Sequence, residues 1–457
     1  MSLEMDTSSS SQLTKDRNQG IKFRKSPKLY ENRFGIGVLV VLLFAITLGL
    51  GIGIPLSKRS SGDGSGTTGP QTALQRAQTL LSNNPLIDGH NDLPWQYRQY
   101  AKNKVYTVDL SQDTRLQWNE SVPMTDNVFP RIPAQTDIPR LRQGKLAAVF
   151  WAVFVSCGST QKDAVRQGFD QVDVIHKYVE KYPTTFDLVT TAAGIENSFA
   201  NGKIASLIGL EGGHMIGSTL GLLRMYYQLG CRYMTLTHSC DTPWAGNYKT
   251  DLADPPVTKG LSEFGKIVVK EMNRLGMIID LSHTGIDTQK DALMTTQAPV
   301  IFSHSSAYTL CNHYRNVNDE ILNMTRVNGG LVMVNFYTGY INCFPSNQTT
   351  PTLSQVVDHI EYIKDYIGID YVGIGADYDG VDLLPVGVED VSTYPKVFEE
   401  LIKRGWSDAD LIKLAGGNFL RVFKENERIR DTLANDSPFE DIIDQSQIPF
   451  LNCTTSF

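Results

Sequence analysis

Imidazole and carboxylate side chains stand at the ends of short apolar runs along this chain. The pair His90-x-Asp92 closes the first run, and residues two apart on an extended strand point to the same side of it. An imidazole and a carboxylate in that relation can bind one divalent cation, and the pair suits zinc and related ions. Five further runs end at or just before a metal-binding or ionisable residue, and these are Glu211, His238, His283, His304 and Asp377.

These residue types favour a site for two metal ions. His90 and Asp92 are predicted to hold one ion. His283 and His304 are predicted to hold the other, and Glu211 offers two oxygens that can bridge both. Two such ions, about 3.5–4 Å apart, would share a hydroxide ready to attack a carbonyl. A lone His-x-Asp pair is a weak signal, but four of the eight histidines end predicted strands.

The remaining histidines are predicted to play lesser roles. His176, His313 and His359 fall on predicted helices or loops, where we expect them at the surface or behind the ligands. His214 follows Glu211 by three residues and is expected to support the cleft. Asp379 is expected either to cap a helix or to contact a ligand.

The elements that must position these residues read as alternating strands and helices. Stretches 163–181, 219–229, 262–275 and 353–367 have the apolar period of amphipathic helices. The apolar, β-branched runs are typical of parallel strands that are covered on both faces. They are 86–90, 146–154, 204–211, 233–238, 277–283, 299–304, 330–337 and 371–377.

Eight such strands predict an α/β fold of the (β/α)8 barrel type, in which all strand ends converge on one face. An open doubly wound sheet is the alternative. No Gly-x-Gly-x-x-Gly turn follows the first strand, which disfavours a dinucleotide-binding version of that sheet.

An uncharged apolar segment near the N-terminus predicts a membrane anchor. Residues 34–54 lack any charge and are long enough to cross a bilayer as a helix. A buried core helix and a cleavable signal peptide are the alternatives. The excess of Lys and Arg in the tail 1–33 predicts a cytosolic N-terminus and therefore a single-pass, type II protein of the cell membrane. Residues 55–72 are a flexible linker, and residues 73–457 are predicted to form an extracellular domain.

Composition and sequons agree with an extracellular globular domain. The net charge of −7 and the pI of about 5.7 argue against a nucleic-acid partner. Five Asn-x-Ser/Thr triplets fit an extracytoplasmic location, although each is weak alone. Asn435 is the least favourable acceptor because Pro438 follows closely. The predicted glycosylation sites are therefore Asn119, Asn323, Asn347 and Asn452.

Several long motifs in order make the sequence similar to the membrane dipeptidase (renal dipeptidase) family of zinc peptidases. The resemblance runs from about residue 75 to about residue 425. The motifs are LIDGHNDLPW (86–95), SLIGLEGGH (206–214), RYMTLTHSCDTPWA (232–245), MIIDLSH (277–283), PVIFSHSSAY (299–308), RNV (315–317), LVMVNFY (331–337) and VGIGADYDGV (372–381).

The resemblance implies a distorted (β/α)8 barrel that holds two zinc ions on the ligands predicted above. It implies that His238 contacts the substrate or the tetrahedral intermediate, and that Asp377 transfers protons. It also implies that Arg315 holds the C-terminal carboxylate of a dipeptide, with Tyr340 nearby. Arg315 and Tyr340 rest on the resemblance alone, since a surface salt bridge is otherwise the preferred interpretation of Arg315.

The cysteine roles also come from the resemblance, because six cysteines allow about fifteen full pairings. It implies disulfides Cys157–Cys240 and Cys311–Cys343, and a homodimer in which Cys453 matches a position that joins two subunits. Cys231 is left over and is predicted to be a buried thiol. Family members are typically held by a C-terminal lipid anchor, whereas the N-terminal span is the expected attachment here.

The predicted function is a membrane-anchored zinc dipeptidase that uses the bridging hydroxide on dipeptides or small peptide conjugates. Two alternatives stay open at this point. One is a related metal-dependent amidohydrolase that opens lactams or lactones. The other is a non-catalytic ectodomain, which the presence of every proposed ligand disfavours.

Overall fold

The computed structural model describes residues 71–118, 133–253, 259–346 and 349–448. The predicted tail 1–33, the membrane segment 34–54 and most of the linker lie outside these ranges. So do Asn119, Asn347, Asn452 and Cys453. Within the four described ranges, every helix is too short or too polar to cross a bilayer.

Nine parallel strands form one sheet. They are β1 (Leu86–Asn91), β2 (Leu146–Phe154), β3 (Phe186–Leu188), β4 (Ile204–Glu211), β5 (Cys231–Thr235), β6 (Ile278–Asp280), β7 (Ile301–Phe302), β8 (Leu331–Val334) and β9 (Val372–Ile374). The sheet order is β2-β1-β9-β8-β7-β6-β5-β4-β3, and β2 also pairs with β4. The β2–β4 pairing closes eight strands into a barrel and leaves β3 outside it.

The β3 strand is the one element of the sheet that the sequence pattern does not suggest. It pairs with the first part of β4, from Ile204 to Ser206, while β5 pairs further along the same strand. With three residues it is too short to show an apolar period. The other eight strands match the eight predicted runs, so the (β/α)8 prediction is confirmed.

Several predicted strands end earlier than expected. β6, β7 and β9 have only two or three residues, whereas the apolar runs suggested six or more. Ladder pairing stops there because the chain turns away to build loops on the rim of the barrel. His283, His304 and Asp377 therefore lie two or three residues beyond their strands, on those loops.

The helices lie between the strands along the chain. They are α1 (Ala73–Asn83), α2 (Leu93–Ala101), α3 (Ile138–Gln143), α4 (Ala164–Lys181), α5 (Ala192–Ala200), α6 (Leu220–Gln228), α7 (Lys249–Leu252), α8 (Glu263–Leu275), α9 (Ile286–Thr295), α10 (Asp319–Asn328), α11 (Thr338–Ile341), α12 (Leu353–Ile367), α13 (Tyr394–Lys403), α14 (Asp408–Ile412) and α15 (Asn418–Thr432). The four predicted amphipathic helices correspond to α4, α6, α8 and α12 within one residue at each end.

Helix α8 shows how the sequence sets these elements. Ser262 caps it by accepting a hydrogen bond from the backbone N–H of Gly265, and Gly276 ends it with a φ of 75°, which glycine adopts easily. Its apolar residues, such as Val268 and Met272, are fully buried against the barrel. That buried stripe, more than helix propensity, stabilises the helix.

Disulfides tie the loops above the barrel. Cys157 is bonded to Cys240 and Cys311 to Cys343, which are the pairings that the family resemblance implies. Cys231 lies in β5 as a buried free thiol, also as predicted.

Candidate active site

The predicted site residues from six strands meet at one rim of the barrel. His90 and Glu211 stand at or near the last positions of β1 and β4, and the others follow β5, β6, β7 and β9. His283 and Asp377 have φ values of 66° and 67°, in the left-handed region that non-glycine residues seldom occupy. Such strain persists only where surrounding contacts hold it, and it is often found at functional sites.

The carboxylate of Glu211 lies at the centre of the cluster, and each of its two oxygens is close to at least one imidazole nitrogen. Its Oε2 is 3.4 Å from Nε2 of His90. Its Oε1 is 3.1 Å from Nε2 of His283 and 3.4 Å from Nε2 of His304. His238 Nε2 is 3.7 Å from the same Oε1. One buried carboxylate therefore contacts four histidines that are far apart in sequence.

A second carboxylate group lies on the His90 side. Asp92 Oδ2 is 3.1 Å from Nε2 of His90, and Asp377 Oδ1 is 3.9 Å from the same nitrogen. The other oxygen of Asp377 accepts a hydrogen bond of 2.8 Å from the side-chain amide of Asn335. Asn335, which the sequence patterns did not single out, therefore orients Asp377 towards His90.

The donor set fits divalent metal ions. Three overlapping sets of donor atoms lie within 4.8 Å of one another, and they are His90–Glu211–His304, Glu211–His238–His283 and His90–Asp92–Asp377. Nε2 of His90 is fully buried, and carboxylate oxygens of Asp92 and Glu211 lie 3.1 and 3.4 Å from it. Imidazole and carboxylate donors grouped in this way suit a zinc-type ion. His238 and Asp377 also belong to these sets, although they lie farther from the shared atoms than the predicted ligands do, at 3.7 Å from Glu211 and 3.9 Å from His90 respectively.

Electrostatics differ between the two sides of this cluster. Burial lowers the pKa of His238, His283 and His304 well below the usual range, and the nearby Arg315 guanidinium lowers each further. Imidazoles held neutral in this way can act as metal ligands.

On the other side, burial raises the pKa of Asp377 to about 7, and neighbouring Asp92 adds to the rise. Burial also lowers the pKa of His90, but Tyr233, Glu211 and Asp92 raise it more, so the net direction is upward. This side therefore attracts a cation.

Arg315 is buried next to the cluster rather than paired at the surface. Its guanidinium donates to Ser305 Oγ and to the backbone oxygen of His304, both at 3.3 Å. It lies 5.2 Å from the ring centre of Tyr340 and 6.0 Å from that of Tyr248. Its Nε has no hydrogen-bond partner among the described residues. A buried cation with a spare donor is suited to an anionic group of a ligand.

Asp92, Glu211, His238, His283 and Asp377 line one cavity of about 290 Å³. Aromatic walls come from Trp95, Phe154, Tyr337 and Tyr340, and Arg315 and Asp382 also line it. Sequence reasoning missed Asp382, Tyr248 and Tyr337. Tyr337 closes the LVMVNFY motif and could have been found there, whereas nothing in the sequence distinguishes Asp382 or Tyr248 from surface residues.

Asp379, His214 and His359, which were predicted to have supporting roles or to lie outside the cluster, occupy three different positions. Asp379 does not cap a helix, because no helix begins there in the described chain. Its Oδ1 accepts a hydrogen bond from the backbone N–H of Gln135, and this bond connects the rim to residues 133–137. His214 is buried and bonds the backbone oxygen of Val155 at 3.0 Å. His359 is also buried, so of its two predicted positions, at the surface or behind the ligands, the structure excludes the surface.

A closed parallel barrel with carboxylates and imidazoles clustered at its strand ends defines the class of metal-dependent hydrolases. The model of the family "Membrane dipeptidase (Peptidase family M19)" matches residues 74–437. The chain belongs to this family and is thus a metallo-dipeptidase, a hydrolase that acts on peptide bonds.

Relatives and solved structures agree with this membership. The chain is 40% identical to Dipeptidase 3 of Rattus norvegicus, over 82% of this chain and 71% of that protein. It is also 40% identical to Dipeptidase aclJ of Aspergillus oryzae, over 80% of this chain and 83% of that one. Its fold is similar to a dipeptidase AC metallopeptidase of family M19, with a TM-score of 0.64, 23% identity, and coverage of 75% and 98% of the two chains. A Rhodobacter sphaeroides metallopeptidase liganded with a phosphinate mimic of L-Ala-D-Ala matches at the same TM-score and identity, over 75% and 99%.

Proposed function

We propose that the protein is a membrane-anchored dipeptidase that works with two zinc ions. His90 and Asp92 hold one ion, and His283 and His304 hold the other. Glu211 bridges them. The observation that carries this proposal is the placement of Glu211, because its two oxygens lie 3.1–3.4 Å from the Nε2 atoms of His90, His283 and His304.

The bound ions would supply Lewis acidity and lower the pKa of a water held between them. Asp377 is placed to accept a proton at Oδ1 and to deliver it to the leaving amine, because Asn335 fixes its other oxygen. His238 lines the cavity and donates towards the oxygen on which negative charge develops.

Arg315 selects the substrate class. Its spare donor and its position over Tyr340 suit the carboxylate at the C-terminus of a short peptide. A cavity of about 290 Å³ is at the small end for ligand sites, which favours a dipeptide or a small conjugate over a longer chain.

The domain arrangement and the location belong to the same proposal. Residues 34–54 anchor the chain in the cell membrane, residues 1–33 face the cytosol, and the catalytic domain is extracellular. Two disulfides within this domain support an oxidising compartment. The active form is a homodimer, with Cys453 as the candidate link between subunits and Asn119, Asn323, Asn347 and Asn452 as glycosylation sites.

The test is hydrolysis of a dipeptide panel by the purified full-length chain, before and after chelation and after zinc is restored. We expect activity on dipeptides, little on tetrapeptides or C-terminally amidated dipeptides, and recovery with zinc at two ions per chain. Cleavage of lactams or lactones alone would support the amidohydrolase alternative. A chain that binds no zinc and cleaves nothing would support the non-catalytic one.

A further inference from the structure

One buried side chain, Ser303, contacts the ring nitrogen of His304 that faces away from Glu211, and Asp280 in turn contacts Ser303. Ser303 Oγ is 2.8 Å from His304 Nδ1, and it is 2.6 Å from Oδ2 of Asp280. All three side chains are fully buried. The other ring nitrogen, Nε2, lies 3.4 Å from Oε1 of Glu211 and 2.9 Å from Nε2 of His283.

The hydrogen bonds around Asp280 fix the position of the Ser303 proton. Oδ1 of Asp280 accepts from the backbone N–H groups of Ser282 and Ser303, at 3.0 and 2.8 Å. Oδ2 accepts from the hydroxyls of Thr235 and Ser303, both at 2.6 Å. A carboxylate only accepts, so the single hydroxyl proton of Ser303 lies on its bond to Asp280. The rival acceptor, Ser282 Oγ, is 3.5 Å away.

With that proton committed, Ser303 Oγ can only accept from His304 Nδ1. The neutral imidazole therefore carries its hydrogen on Nδ1 and presents a bare Nε2 to the cluster. We propose that Asp280 and Ser303 are positioning residues that set the tautomer of His304 and so prepare it as a metal ligand. This inference rests on the proposed function, since it assigns the bare nitrogen to an ion.

Two glycines closely confine the backbone around Ser303. A Cβ on Gly375 would lie 1.7 Å from the backbone oxygen of Ser303, and one on Gly89 would lie 2.6 Å from it. Only glycine fits at these two positions, where β1 and β9 approach the end of β7. The backbone that carries the Ser303 side chain is therefore closely confined.

His90 has a similar neighbour but not the same constraint. Tyr233 Oη lies 2.8 Å from Nδ1 of His90 and 3.3 Å from the backbone oxygen of Gly89. The phenolic hydrogen can point to either of these, because no carboxylate holds it. The assignment of a tautomer therefore applies to His304 alone.

The experiment measures zinc affinity rather than turnover. The full-length chain is stripped with chelator and titrated with Zn²⁺ against a chromophoric competitor, and the number of bound ions is determined by elemental analysis. We expect Ser303→Ala to lower the affinity for one of the two zinc ions by about 10- to 100-fold, as for other residues that support a metal ligand. The ion on the His90 side should keep its affinity.

Asp280→Asn gives a second, sharper variant. The new amide nitrogen would donate a hydrogen bond to Ser303 Oγ. The Ser303 hydroxyl would then donate its own hydrogen to Nδ1 of His304, so that the ring of His304 would carry its hydrogen on Nε2. Although the change is isosteric, we expect a loss of zinc affinity at least as large as that of Ser303→Ala.

Thr235→Val is the matched control. Thr235 bonds the same oxygen of Asp280 at the same 2.6 Å and is equally buried, but its hydroxyl has no hydrogen bond to an imidazole among the described residues. We expect this variant to lose much less zinc affinity than Ser303→Ala. Melting of each metal-free variant checks that it folds.

Each outcome decides one question. Wild-type protein that binds no zinc overturns the proposed function together with this inference. If the wild-type protein binds two ions and Ser303→Ala binds them equally well, only the proposed role of Asp280 and Ser303 is overturned. A Thr235→Val variant that loses as much affinity as Ser303→Ala also overturns this role, because the network would then act only through packing.

Discussion

Buried histidines occupy two regions of this molecule, and their neighbours differ. On the rim, Nε2 of His90, His283 and His304 lies within 3.4 Å of an oxygen of Glu211. Behind the rim, His359 Nδ1 accepts from the backbone N–H of Ala307 at 3.0 Å, and its Nε2 donates to the backbone oxygen of Ile341 at 2.7 Å. Both groups are almost fully buried.

Burial alone therefore does not make a metal ligand. Both ring nitrogens of His359 form hydrogen bonds with the backbone. These bonds hold α12 against the loop after β7 and against α11. The rim imidazoles keep a nitrogen free of backbone partners and turn it towards a carboxylate. The distinction is one of hydrogen-bond partners, and substitutions of Glu211 and His359 test it from its two sides.

The largest expected effect is that of Glu211→Gln. A neutral amide cannot offer two anionic oxygens, so zinc content should fall from two ions to less than one per chain. Dipeptide hydrolysis should fall by at least about 100-fold, since loss of a residue that merely supports a ligand already costs about 10- to 100-fold. Elemental analysis and initial rates measure both. Retention of one tightly bound ion would show that the two sides of the site are independent.

Asp377→Asn separates proton transfer from metal binding. If Asp377 moves protons, kcat should fall by about 10²- to 10⁴-fold while both ions stay bound. Asp377 also lies in a donor set with His90 and Asp92, so a ligand role is the competing interpretation. Loss of an ion in this variant would establish that role. Asn335→Asp, which keeps the size but not the donor, is the companion variant and should also reduce kcat.

Most of the barrel and the rim could be predicted because they depend on local patterns. The eight strands show as apolar runs, and ligand types at their ends converge in any barrel of this topology. What could not be predicted depends on contacts distant in sequence. The bonds of Asn335 to Asp377 and of His359 to Ile341 are of this kind, and so is the short β3, which pairs only because β4 offers it an edge.

Arg315 shows the same limit for a charged residue. Its sequence context fits a surface salt bridge, and only the fold reveals that it is buried beneath the cavity with Tyr248 on one side. Its role could be predicted from the family resemblance but not from its neighbours in the chain.

Arg315→Ala should act mainly on substrate binding. Loss of a charge-assisted bond worth about 1.5–3 kcal/mol corresponds to about a 10- to 150-fold rise in KM for dipeptides, with a smaller change in kcat. Arg315→Lys keeps the charge without the planar fork and should fall between wild type and alanine. Steady-state kinetics on a dipeptide and on its C-terminal amide measure this. An unchanged KM in the alanine variant would remove Arg315 from the site.

The smallest expected effect on activity is that of His359→Gln, which should change stability instead. Burial lowers the pKa of His359 to about 4, against the smaller upward effects of its bond to Ile341 and of nearby Asp358. Between pH 6.5 and 4 the unfolded chain binds a proton that the folded chain excludes, so the free energy of unfolding falls as the pH falls through this window. The contribution is about 3 kcal/mol, fully present above pH 6.5.

In His359→Gln that part of the pH dependence should vanish, while zinc content stays at the wild-type value. Denaturant unfolding at pH 4.5 and 7.5 measures the difference, and His176→Gln is the control because that half-buried ring bonds only the carbonyl of Leu229 in the described structure. If His359→Gln lost zinc instead, a histidine whose two ring nitrogens both bond the backbone would affect metal binding. The distinction between metal-binding histidines on the rim and structural histidines behind it would then be wrong.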